Sequence, residues 1–161
     1  MNKRTPGIFT RGFLMYNTNH MKRGGIFAFF LTYILLLGIF GLIDALWLGL
    51  IARNFYAQEL AGLLRADFLL VPGLLFYALH PFMLWFWGFY KNNSWKSLLL
   101  KTAVYGFGAY ATYDLSNWAT LRDWSEQVVL VDIIWGTVSS AGVSIAVWFI
   151  IKQNRLLEKK D

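Results

Sequence analysis

The 161-residue chain contains no cysteine. That absence removes disulfides, zinc–thiolate sites, iron–sulfur clusters and a thiol nucleophile in one step. Histidine is nearly absent too: His20 and His80 are too few for a histidine-rich di-iron site or for bis-histidine haem held across a bundle. Charge is scarce, with 15% of residues charged against 57% hydrophobic, the balance of a chain embedded in a membrane. There is no basic stripe interleaved with aromatics, so the formal charge of +6 does not indicate a nucleic-acid partner. The positive residues instead flank apolar runs.

What is present is four such runs, each about long enough at 1.5 Å per residue to cross ~30 Å of hydrocarbon. The sequence predicts an all-α polytopic membrane protein, a bundle of four transmembrane helices with spans over about 25–52, 68–90, 98–121 and 128–151. Pro72 and Pro81 fall inside the second span and predict a kink. A tight turn around Arg122, Asp123 and Trp124 joins the third and fourth spans as a helical hairpin. Trp85, Trp87, Tyr90 and Trp95 fit an interfacial aromatic belt. Residues 1–24 read as a basic extension without fixed structure, in which Met21-Lys22-Arg23 resembles a start, and 152–161 as a basic tail. The first run is too long for a signal-peptide core and is expected to be retained. Between spans one and two, Tyr56, Leu60, Leu63 and Leu64 share a helical face opposite Asn54, Gln58 and Arg65. That pattern suits a short interfacial helix or an ordinary polar loop.

Twelve of the fifteen Lys and Arg residues fall on the side of the two termini and the middle loop; Arg53, Arg65 and Arg122 fall on the other. By the positive-inside rule both termini are cytoplasmic, in a bacterial inner membrane. Small residues recur at every fourth position in span one (Gly41, Ala45, Gly49), span three (Gly108, Thr112, Ser116, Thr120) and span four (Gly136, Ser140, Ser144). Such ridges allow close helix contact. The bundle can satisfy them internally, or one can serve a homodimer.

Asp44, Asp114 and Asp132 lie within the spans, where each aspartate costs ~2.5 to 3.5 kcal/mol on insertion scales. They must be paired, hydrated or protonated. All three fall roughly 6 to 10 Å from the outer ends of their spans, so three helices can bring a carboxylate to one outward-facing pocket. Tyr110, Tyr113, Asp114 and Asn117 share a face by three- and four-residue spacing, with Thr112 and Ser116 opposite. The third span is therefore expected to pack on both sides. Asp44 and Asp132 are each followed three residues later by a tryptophan, Trp47 and Trp135, and Trp118 follows Asp114 by four. An indole can donate to a carboxylate or wall a cation-binding pocket. Arg53 and Arg122 are the expected counter-ions, able to snorkel down from the span ends. Two roles stay open for this constellation: a polar clasp that holds the helices in register, or a ligand site. For the lone His80 the choice is a structural hydrogen bond or a proton relay.

The stretches Asp44-Ala-Leu-Trp-Leu48, Ala52-Arg-Asn-Phe-Tyr56, Tyr110-Ala-Thr-Tyr-Asp-Leu-Ser-Asn-Trp-Ala-Thr-Leu121 and Val131-Asp-Ile-Ile-Trp-Gly-Thr137 resemble a bacterial family of predicted four-helix inner-membrane proteins of unknown function. The likeness covers about 26–151. It implies no established activity, and an occasional neighbourhood with genes of fatty-acid modification or of light and oxidative stress. It marks the same aspartates, Asn117 and Arg53.

Three functions fit these residues. The first is a lipid-handling or lipid-modifying protein, with a head group or reactive chain held against the carboxylates and Asp114, Asp44 or Asp132 as acid or base. The second is a small transporter for a cation or proton-coupled solute; the third is a non-catalytic membrane subunit. Expected partners are the bilayer and a lipid or small cationic ligand. No metal motif is present, and no cofactor can be named.

Overall fold

The computed structural model describes residues 24–157. The basic N-terminal extension and the end of the C-terminal tail lie outside the described residues. Contacts divide the chain into an N-terminal unit ending at Leu31, helical over 24–31, and a body from Thr32 onward that holds the core and the candidate site.

Helix α1 (Gly24–Leu46) continues into a π-helical turn, Trp47–Ile51. A short helix, α2 (Arg53–Glu59), follows. Helix α3 (Leu70–Leu84) also ends in a π-helical turn, Trp85–Phe89. Helices α4 (Trp95–Thr120) and α5 (Glu126–Leu157) complete the order. Among the described residues, three stretches are long and apolar enough to cross a membrane: Ile26–Ile51, Leu70–Phe89 and Glu126–Gln153. Helix α4 is 26 residues long, yet its tyrosines, threonines, Asp114 and Asn117 lower its hydropathy. This is a helical membrane protein with several apolar helices.

Local chemistry explains the boundaries. Pro72 sits in the first turn of α3, where a missing N–H costs nothing, whereas Pro81 is inside the helix and buried. Ser94 caps α4, accepting from the Ser97 N–H. Ser125 accepts from the Gln127 N–H at the start of α5, and Glu126 in the first turn suits the helix dipole. Helix α2 stops at Glu59, and the chain then turns through Gly62 at φ 87°, a left-handed conformation that glycine adopts without a Cβ penalty. The amphipathic face expected to run from Tyr56 to Leu64 is therefore split. Leu60 is buried in the protein, while Leu63 and Leu64 lie beyond the helix end and are exposed.

The core is a cluster of Leu36, Phe40, Leu84, Val143 and Val147. Helices α4 and α5 make the closest approach: a Cβ on Gly106 would strike the Gly136 carbonyl and Ser140, and one on Gly136 would strike the Tyr110 ring. Of the three expected ridges only that of α5 is packed this way, with Ser140 and Ser144 fully buried. Gly41, Gly49 and Gly108 have open space where a Cβ would sit, and Thr112, Ser116 and Thr120 are exposed. The expectation that α4 packs on both sides is thus overturned. Gly106 and Gly108 lie about 200° apart around the helix at 3.6 residues per turn, so seating Gly106 against α5 turns the Gly108 ridge outward.

Candidate functional site

Asp44 on α1 is 2% exposed, and both its oxygens are engaged. Oδ2 accepts from the Tyr77 hydroxyl at 2.8 Å, and Oδ1 accepts from the Trp135 indole N–H at 3.0 Å. Asp132 on α5 accepts a hydrogen bond at Oδ1 from the Tyr56 hydroxyl, which in turn accepts from the Trp47 indole at 3.1 Å. The two Asp-x-x-Trp turns are therefore exchanged between helices. The indole that follows Asp132 serves Asp44, and the indole that follows Asp44 supports the donor to Asp132. The two indoles stack face to face, 4.3 Å apart and 7° from parallel. The π-helical turn begins at Trp47; such a turn shifts the register of the residues that follow and is frequent at functional sites.

Tyr56 lies outside the apolar spans. Burial, then its bond to Asp132, then the charges of Asp132 and Asp114 raise its phenol pKa above the ordinary value. It stays protonated at neutral pH and acts as a donor.

Asp44, Tyr56, Asp132 and Trp135, with Tyr110 and Tyr113, line a cavity of about 650 Å³. Leu48, Pro72, Phe76 and Leu79 supply apolar wall, and His80, Tyr105 and Ala109 complete it. Leu48, Phe76, Leu79 and Tyr113 in its lining are exposed, so the cavity is open rather than sealed. His80 is buried and held at both ring nitrogens: Nε2 meets Ser140 Oγ at 3.1 Å and Nδ1 meets the Tyr105 hydroxyl at 3.5 Å. Its ring stacks on Phe40 at 4.5 Å.

Asp114 does not line this cavity. It is fully buried, and neither carboxylate oxygen has a hydrogen-bond partner. The Trp124 indole N–H is buried and unpaired as well, close enough to act on Asp114 electrostatically without closing a bond of normal geometry. Asn117 is half-buried beside it on α4, whereas Trp118 is exposed. The expected counter-ions are corrected outright. Arg53 and Arg122 are exposed, and among the described residues no ion pair joins either to an aspartate. Tyrosine and tryptophan satisfy Asp44 and Asp132 without desolvating an arginine, which would cost several kcal/mol.

Of the residues expected from the sequence, Asp44, Asp132, Trp135, Tyr110 and Tyr113 line the cavity and Trp47 lies behind Tyr56. Tyr77 and Tyr105 are not among the expected residues, and Tyr56 is named there as part of an amphipathic face and of a motif rather than as a donor. A tyrosine inside an apolar run, such as Tyr77, was the available signal, since a buried phenol needs a hydrogen-bond partner.

The fold and the buried polar network define a helical integral membrane protein. Over residues 29–149 the chain matches the family described as predicted membrane protein (DUF2177), and it belongs to that family. Neither a curated protein nor a solved structure matches it.

Proposed function

We propose that the protein is a four-span lipid-handling protein of the bacterial inner membrane, with both termini cytoplasmic, and that its cavity holds the head of an amine-bearing lipid against Asp44 and Asp132. Helix α4 serves as the fourth span: at 1.5 Å per residue it is about 39 Å long, enough to cross, and its polar stripe lies toward α5. Orientation follows from the Lys and Arg distribution.

The observation that carries the ligand reading is one unused acceptor. Asp44 uses both oxygens, and Asp132 uses Oδ1 alone. Among the described residues Asp132 Oδ2 has no hydrogen-bond partner, and Asp132 lines the cavity. No lysine or arginine lines the cavity. A protonated amine supplies both the missing donor and the missing positive charge, and such charge-assisted bonds are the strong ones. The surrounding Tyr56, Tyr110, Tyr113 and Trp135 rings add a surface that favours cations. The apolar wall and the opening suit a hydrocarbon chain arriving from the bilayer.

The test is the lipid that copurifies in detergent, identified by mass spectrometry. Wild type should carry amine-bearing lipid in excess over the membrane extract, and a stably folded Asp132→Asn variant should lose the excess. Identical composition in extract, wild type and variant would sink the reading and move transport of a small cation to the front.

A further inference from the structure

A second cavity of about 510 Å³ lies on the other side of α4, walled by Trp87, Leu100, Val104 and Gly108 with Lys101 at its rim. Tyr105 and Ala109 line both cavities. Ala109 carries a single methyl, so the only bulky group in the shared wall is the Tyr105 ring. That ring is half-buried, its centroid 5.2 Å from the His80 ring and its hydroxyl 3.5 Å from His80 Nδ1. Along α4 the first cavity extends from Tyr113 beside the carboxylates to Tyr105, a distance of about 12 Å at 1.5 Å per residue. Beyond Tyr105 the surface is again apolar: Leu100 and Val104 are exposed, and Gly108 leaves open space.

We propose that Tyr105 sets the length of hydrocarbon chain the site accepts, closing the far end of the acidic cavity against a second groove that would receive a longer chain. The inference rests on the amine-headed lipid reading above. With the head fixed at Asp132, the chain runs along Leu48, Phe76 and Leu79 toward His80 and meets the Tyr105 ring. Each further methylene buried before that point tightens binding about fourfold. Beyond it a chain must bend back or leave through the opening, and the gain stops. Replacing Tyr105 by alanine joins the two cavities; replacing it by tryptophan shortens the first.

The experiment is native mass spectrometry of the full chain in detergent, titrated with alkylammonium ions from octyl to octadecyl, for wild type, Tyr105→Ala and Tyr105→Trp. Octylammonium, too short to meet the wall, should bind all three alike. Wild-type affinity should climb with chain length and then level off, the plateau moving to longer chains in Tyr105→Ala and to shorter ones in Tyr105→Trp. If octylammonium does not bind wild type, the acidic head site is wrong and the inference falls with it. If it binds but the plateau is the same in all three proteins, the head site stands and the role of Tyr105 alone is refuted. Should Tyr105→Ala lose octylammonium binding through misfolding, the shift or its absence in Tyr105→Trp decides.

Discussion

Asp44 and Asp114 sit at similar distances from the ends of their helices and are both buried, yet they meet opposite environments. Asp44 accepts from a phenol and an indole carried by two other helices and faces a cavity. Asp114 has no hydrogen-bond partner at either oxygen and no access to that cavity. An intramembrane carboxylate is costly wherever it lies, but only Asp44 recovers part of that cost through cross-helix bonds. A clasp role therefore fits Asp44, whose two oxygens are both engaged, and does not fit Asp114.

The largest expected effect comes from removing the satisfied acid. Asp44→Ala strands the Tyr77 hydroxyl and the Trp135 indole, and should cost about 2 to 4 kcal/mol of stability, read as SDS-induced unfolding in mixed micelles. An unchanged midpoint would erase the contrast between the two aspartates. The opposite sign is expected for Asp114→Asn, which keeps the size and shape of the side chain and removes the charge that is costly to desolvate. It should stabilise by about 1 to 3 kcal/mol in the same assay; a destabilised variant would mean that Asp114 has a partner after all.

A smaller loss, about 1 kcal/mol, is expected for Tyr77→Phe, which deletes one of the two donors to Asp44 and keeps the ring. A double-mutant cycle with Asp44→Asn should show coupling between the two positions, and additivity would show that the bond contributes nothing. The smallest effect belongs to the outward ridge. Gly108→Ala should change stability by no more than about 0.5 to 1 kcal/mol, in the favourable direction, because the Cβ enters open space and alanine is the better helix former. Gly106→Ala, two residues away, would drive its Cβ into α5 and should be clearly destabilising in the same unfolding assay.

Much of this was legible in the residues. Apolar run length indicates a helical membrane protein, and the rarity of membrane aspartates singles out Asp44, Asp114 and Asp132. The Asp-x-x-Trp spacing at 44–47 and 132–135 correctly associated indoles with acids. It did not reveal that each indole serves the acid chain on the other helix, because spacing fixes neighbours along one helix and is silent about the helix opposite. Arg53 and Arg122 were chosen as counter-ions on charge alone, and the fold supplied neutral donors, Tyr56 and Tyr77, whose cost of burial is far lower. The ridge at Gly108 has the same four-residue spacing as the packed one at Gly136, and nothing in the sequence distinguishes them.

Residue chemistry alone makes this chain helical and membrane-embedded and requires that three carboxylates be accommodated within it, because hydrocarbon penalises every uncompensated charge at any rotation of a helix. Only the tertiary structure decided which way each helix turns: that Asp44 and Asp132 share a cavity while Asp114 does not, and that Tyr105 stands between two cavities. For Asp114 and Tyr105, both on α4, the outcome depends on the face that α4 turns toward α5, where Gly106 closely approaches Gly136, a contact between residues thirty positions apart.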